Sequence, residues 1–131
     1  MSSLDTLNNS VIVHIDRFSL SRDLQLEALE EFKALCLSSG TNICGEINGK
    51  IDRPTPNFFV KKGKLDEIKE TVKFGKANLV IFNNDLTPSQ ERNLEKFLGA
   101  RVLDRTSLIL DIFATRARSH IGKVQVELAQ L

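Results

Sequence analysis

"ANLVIFNNDLTPSQERNLEKFLGARVLDRTS", Ala77 to Ser107, decides the fold class. Its first piece, "ANLVIFN", is a short apolar run rich in β-branched residues, the composition of a strand buried on both faces. "TPSQ" (Thr87–Gln90) then opens a helix by three signals. Thr87 is the N-cap, Pro88 takes the first helical position, and Gln90 completes a capping box. Leu94, Phe97 and Leu98 share the core face, and Gly99 ends the helix. "ARVLD" is a second strand. Thr106 or Asp104 caps the next helix, "SLILDIFATRAR", which is apolar almost all round and expected to be buried. Strand and helix alternating with short loops mean parallel strands joined by right-handed crossovers.

The same alternation extends upstream. "VIVHID" (Val11–Asp16) is the first strand. Ser21 caps a helix carrying Leu24, Ala28, Phe32 and Leu35 on one face and ending at Gly40. "TNICGEINGKID" is either one strand or a small hairpin through Asn48-Gly49. "RPTPN" (Arg53–Asn57) is extended loop, because two prolines restrict their predecessors. "FFV" is a brief strand, and "KKGK" leads into a helix with the stripe Leu65, Ile68 and Val72, closed by Gly75. The expected architecture is α/β: a small, mostly parallel sheet flanked by helices. Residues 1–10 are a loose N-terminus, 11–118 the α/β subdomain, and 119–131 the beginning of a further helix. In that last piece Val124, Leu128 and Leu131 recur at helical spacing, with no closing cap.

The totals fit one soluble domain. The chain has 131 residues, of which 41% are hydrophobic and 27% charged, and its net charge is +1. Near-neutrality excludes a whole-protein electrostatic footprint for nucleic acid but leaves room for a local basic patch. Two cysteines make no disulfide framework, and Cys36 reads as a small core hydrophobe. His14 and His120 lack partners at metal-ligand spacing, so no metal site is expected. No leader and no span of ~20 apolar residues is present, which makes the cytoplasm the expected compartment.

Catalytic signals are missing. Gly-Lys occurs at 49–50, 63–64, 75–76 and 122–123, yet no glycine precedes any of these pairs by five residues and no Ser/Thr follows them. A phosphate-binding loop is therefore excluded, and no catalytic residue is expected. "VKKGKLDE" offers Lys61, Lys62 and Lys64 around Gly63 at a helix start, where an anion is favoured. The plainer alternative is a tight turn with solvated lysines. Asn83, Asn84, Asp85 and Asp104 follow the two best strands and read as turn and cap formers, with magnesium as the rival. "RTSLILDIFATRARSHIGK" gathers Arg116, Arg118, His120 and Lys123 at a helix–helix junction, with Arg105 before it. Arginine forks suit phosphate. On the residues alone, RNA contact and plain solvation stand level.

"GKLDEIKE", the run from "ANLVIFNNDL" through "DIFATRA", and "GKVQVELAQL" together resemble the N-terminal domain of the HflX-family GTPases, over residues 40–131. The resemblance implies a translation-type GTPase that binds the large ribosomal subunit and splits ribosomes under stress. It also implies an α/β subdomain followed by a long antiparallel helical hairpin directed at ribosomal RNA. The GTP-binding domain, with its GTP and Mg2+, would lie beyond this chain, which is read as cut inside the hairpin's leading helix. The expected ribosomal-RNA contacts are Arg116, Arg118, His120 and Lys123, then Lys61, Lys62, Lys64 and Arg105. Two departures stand out: Lys61 replaces the first glycine of the family's Gly-Lys-Gly-Lys, and Ile121 replaces an acid before the final "GK". The rivals are an α/β nucleotide (ATP)-binding domain using Gly63 or the Asn83–Asp85 crevice, and an interaction module that self-associates through Val124, Leu128 and Leu131.

Overall fold

The computed structural model describes residues 8–129, with side chains described through residue 118. In order the elements are β1 (Asn9–Asp16), α1 (Arg22–Ser38), β2 (Asn42–Lys50), α2 (Lys62–Gly75), β3 (Leu79–Phe82), α3 (Pro88–Leu98), β4 (Arg101–Leu103) and α4 (Arg105–Ala129). The four strands form one sheet in the order β2-β1-β3-β4, and every pairing is parallel. "TNICGEINGKID" is therefore a single strand beside β1. Its register slips between Ser10 and Val11, which face Ile43 and Gly45.

Period-two alternation divides the sheet into two cores. Val11, Val13, Ile15, Val80, Phe82 and Val102 meet Leu65, Ile68 and Val72 of α2 and Leu94 and Leu98 of α3. Ile12, Leu79, Ile81 and Leu103 point the other way, against Phe32 and Cys36 of α1 and Leu108 and Ile112 of α4. All four β3 residues are buried, as its unbroken apolar run requires. α2 approaches β2 closely. A Cβ on Gly45 would come 2.5 Å from Thr71 Cγ2, and one on Gly75 would come 2.8 Å from Cys44 Sγ. Both positions need a bare Cα.

Local signals explain the helix ends. Thr87 accepts from Gln90 N, Gln90 returns the bond to the Thr87 backbone, and Gly99 adopts the left-handed conformation. Cys36 is fully buried and its thiol is pushed up to about 12 by burial, which keeps it a protonated core hydrophobe.

Several expectations are corrected. β1 starts at Asn9, inside the segment expected to be loose. "FFV" is no strand: Thr55 and Phe59 form an isolated antiparallel bridge, and Phe59 has φ 68. Two prolines close by leave this segment folded on itself rather than in the sheet. In α1 the buried residues are Phe32 and Cys36, while Leu24 is exposed. Nor is α4 buried all round. It lies on the sheet's outer layer and touches it along one stripe, so Leu108 and Ile112 are covered while Leu110 and Phe113 are 62% and 73% exposed. It also runs unbroken through the expected junction at 119–122, as one helix of 25 residues. At 1.5 Å per residue that is about 37 Å, well beyond the sheet's longest strand.

Candidate functional site

In an open parallel sheet, ligands collect at the carboxyl ends of the strands. Here β1 and β2 run out at Asp16 and Lys50, and α2 begins beside them. An open crevice of about 540 Å³ is lined there by Lys50, Arg53, Lys61 and Lys64, with Asp52 the one acidic lining residue. Lys61 is the N-cap of α2. It supplies no side-chain cap, and no acid stands in the first turn, so the helix presents uncapped amides to this basic rim. Lys64 is partly committed already: its Nζ donates to Asn48 O at 2.9 Å and pairs with Glu67 Oε1 at 2.9 Å. Lys62 lines a different groove, beside Phe58, Leu65 and Phe97.

Gly63 needs no special backbone. It sits inside the first turn of α2, outside the positive-φ glycines, and an added Cβ would meet nothing within 4 Å. The tight turn expected of it is therefore absent. Lys61 has φ −80 and ψ 168, which any residue adopts. Gly63→Ala is thus expected to stabilise the domain by about 0.5–1 kcal/mol, read as a higher urea midpoint.

The Asx residues after β3 and β4 are consumed by the fold. Asn84 clamps Ile15, donating to its carbonyl at 2.9 Å and accepting from its N–H at 3.4 Å. Asp85 Oδ1 accepts from Thr106 at 2.8 Å. Asp104, rather than Thr106, caps α4: its Oδ1 accepts from Ser107 N at 2.8 Å and its Oδ2 from Leu86 N at 3.1 Å. Among the described residues no cluster of three His, Cys, Asp or Glu is placed to hold a metal ion.

Arg105 belongs to a short relay. Its Nη1 donates to Asn83 Oδ1 at 3.1 Å, and Asn83 Nδ2 lies 2.9 Å from His14 Nδ1. Because arginine only donates, Asn83 must turn its amide NH2 to the imidazole. Nδ1 is then the acceptor, and neutral His14 carries its proton on Nε2, which is buried without a partner. Burial holds His14 below its ordinary value; Arg105 adds to this, while Asp16 and Glu46 oppose it. The folded chain thus takes up this proton less readily than the unfolded chain, which binds it near pH 6.5. Stability is expected to be flat above that pH and to fall as pH drops below it. In His14→Gln this part of the acid loss should vanish from urea midpoints taken between pH 7 and pH 5.

The expected RNA-contacting residues do not form one cluster. α4 starts at the carboxyl end of β4 and runs back, so Arg116 lies beside Ser38 and Ser39, at the end of α1 and the amino edge of the sheet. Arg118 is exposed, with Nη2 3.3 Å from Thr115 Oγ1. Lys61, Lys64 and Arg105 stand at the opposite edge. The side chains of His120 and Lys123, like those of Val124, Leu128 and Leu131, lie outside the described residues. Lys50 and Arg53 escaped the sequence reading. Taking Asn48-Gly49 as a possible hairpin turn hid the fact that a parallel strand delivers Lys50 to the ligand edge. Among the described residues no helix is long and apolar enough to cross a membrane.

Comparison with known proteins places this arrangement. Residues 26–114 match the family model described as "GTP-binding GTPase N-terminal". The chain is 49% identical over 127 residues to the GTPase HflX of Escherichia coli, which covers 97% of this chain and 29% of that protein. It is 37% identical over 132 residues to the GTPase HflX of Flavobacterium psychrophilum, covering 99% of this chain and 32% of that one. Among solved structures, the complex of SsGBP with GDP superposes with a TM-score of 0.65 at 27% identity, over 93% of this chain and 34% of that one. The chain thus spans about a third of the length of the proteins it matches. It belongs to the HflX GTPase family and corresponds to that family's N-terminal domain.

Proposed function

We propose that this chain is the ribosome-binding portion of an HflX-type GTPase: it contacts RNA of the large ribosomal subunit and, in the longer protein, takes part in splitting ribosomes under stress in the cytoplasm. GTP, Mg2+ and the hydrolytic chemistry belong to the rest of that protein. The observation that supports this reading best is α4. The core on one face of the sheet grips its first turns through Leu108 and Ile112, Asp104 caps its start, and the helix continues as one rod past exposed Arg116 and Arg118. The α/β body thus aims a basic arm, the leading helix of an antiparallel helical hairpin. His120 and Lys123 extend the same phosphate-contacting run.

The test is co-sedimentation with purified large subunits at fixed salt. Arg116→Ala with Arg118→Ala should weaken binding about tenfold or more, since a hydrogen bond to a charged group is worth roughly 1.5–3 kcal/mol. Lys96→Ala, which removes an exposed lysine outside the expected contacts, should change little. Equal binding by the double variant would overturn the assignment.

The basic crevice supports a second reading, a phosphate-bearing nucleotide at the start of α2. Its rim of Lys50, Arg53, Lys61 and Lys64 around uncapped amides is the observation in its favour. Calorimetry with ATP should then give saturable heat that Lys50→Ala with Lys61→Ala removes; no heat with the unmodified chain would dismiss it.

A further inference from the structure

α2 ends at the amino edge of the sheet, where Asn78 donates its N–H to Asn9 O and Gly75 rests on Cys44. In that last turn Phe74 is 94% exposed, more than any other large apolar side chain described. Phe32, Phe59 and Phe82 fill the cores and Phe58 stacks edge-on against Phe97, so the fold has no use for this ring. Two exposed lysines flank it. Lys73 precedes it, and Lys76 follows in the left-handed conformation at φ 51, a position usually given to glycine. The acidic neighbour on the same stripe is Glu70, one turn back, and Lys69 is turned aside with its Nζ 4.3 Å from the Phe97 ring centre.

The surroundings select the partner. α2 exposes no second large apolar residue, so the patch is too small and too charged for an apolar protein face. The carboxyl end of a helix repels anions, so phosphate here is held by the ammonium groups of Lys73 and Lys76 and not by the backbone. What suits a lone ring between two cations is an uncharged aromatic face strung between phosphates. We propose that Phe74, Lys73 and Lys76 form a stacking platform for an unpaired base of single-stranded RNA. This rests on the RNA-contacting reading above and assigns the form of RNA bound at the amino edge, the same edge that carries Arg116.

The chain has neither tryptophan nor tyrosine, so Phe74→Trp creates a sole indole at a site where the fold makes no demand. Titration with a single-stranded RNA of about ten nucleotides should quench it saturably, whereas duplex RNA should not. In anisotropy measurements Phe74→Ala should weaken single-strand binding about tenfold, the usual scale for one stacked base. Lys76→Gly, which also relieves the positive φ, should lower the salt dependence. If the unmodified chain binds this RNA but the indole is not quenched, or Phe74→Ala binds equally well, the platform is wrong and the RNA reading survives. If the unmodified chain binds no RNA, both fail. A blue shift that grows with protein concentration in the absence of RNA would assign the ring to a second copy and overturn the proposal.

Discussion

Phe82→Ala is expected to cost about 3–5 kcal/mol, a large share of the roughly 5–15 kcal/mol that holds a domain of this kind together. Phe82 is fully buried at the carboxyl end of β3, and its ring meets Phe59 edge-on at 6.3 Å. It is flanked by β1 through the Val13–Phe82 pairing and covered by α2 and α3, so the void left by truncation has little room to collapse. Urea unfolding followed by far-ultraviolet dichroism should show a large drop in midpoint with an unchanged slope. Phe82→Leu, which retains most of the volume, should lose much less. A loss below about 1 kcal/mol for the alanine variant would mean that the packing around β3 is looser than described.

Asp104→Ala is expected to cost about 2–4 kcal/mol, because the carboxylate does two things. Its Oδ1 caps α4 through Ser107 N, and its Oδ2 holds Leu86 N in the loop before α3. Losing the cap costs about 1–2 kcal/mol, and a buried amide that loses a charged acceptor adds a comparable amount. Asp104→Asn separates the two. It preserves a cap oxygen but turns an NH2 toward the Leu86 donor, so it should fall between the original residue and alanine. The same substitutions bear on function. Asp104 fixes where α4 leaves the body, so loosening it should also weaken large-subunit binding, even though it touches no RNA in this account. Unfolding midpoints identical for alanine and asparagine would show that only one of the two bonds matters.

Much of the fold was legible in the sequence, for identifiable reasons. The capping box at Thr87–Gln90, the left-handed Gly99 and the buried run Leu79–Phe82 are local signals that tertiary packing had no cause to override. The stripe Leu65, Ile68 and Val72 is likewise buried as its spacing demands. Other segments were opaque because their outcome depends on neighbours. The apolar girth of "SLILDIFA" suggested full burial, yet an outer helix on a small sheet has one partner face, which leaves Ile109, Leu110 and Phe113 outside. Phe58–Val60 has strand composition, but the chain doubles back after the two prolines, where Phe59 takes φ 68 and bridges Thr55, so it closes a turn instead. For the site, the basic residues of α2 and α4 were visible as charge runs. Their placement at opposite edges was not, because it follows from the return direction of α4. Lys50, Arg53 and Phe74 gave no motif at all and become candidates only through the crevice and the exposure that the fold assigns them.

The central claim is that a rigid α/β body presents the arginines of α4 to the phosphates of large-subunit RNA. Salt dependence tests it most directly, since each cation–phosphate contact contributes roughly 0.7–0.9 to the slope of log affinity against log salt. Binding of the unmodified chain to large subunits should fall steeply with salt. Arg116→Ala with Arg118→Ala should flatten that slope by roughly 1.5, the share of two lost contacts. A flat response in the unmodified chain, or equal slopes in the two proteins, would contradict the account.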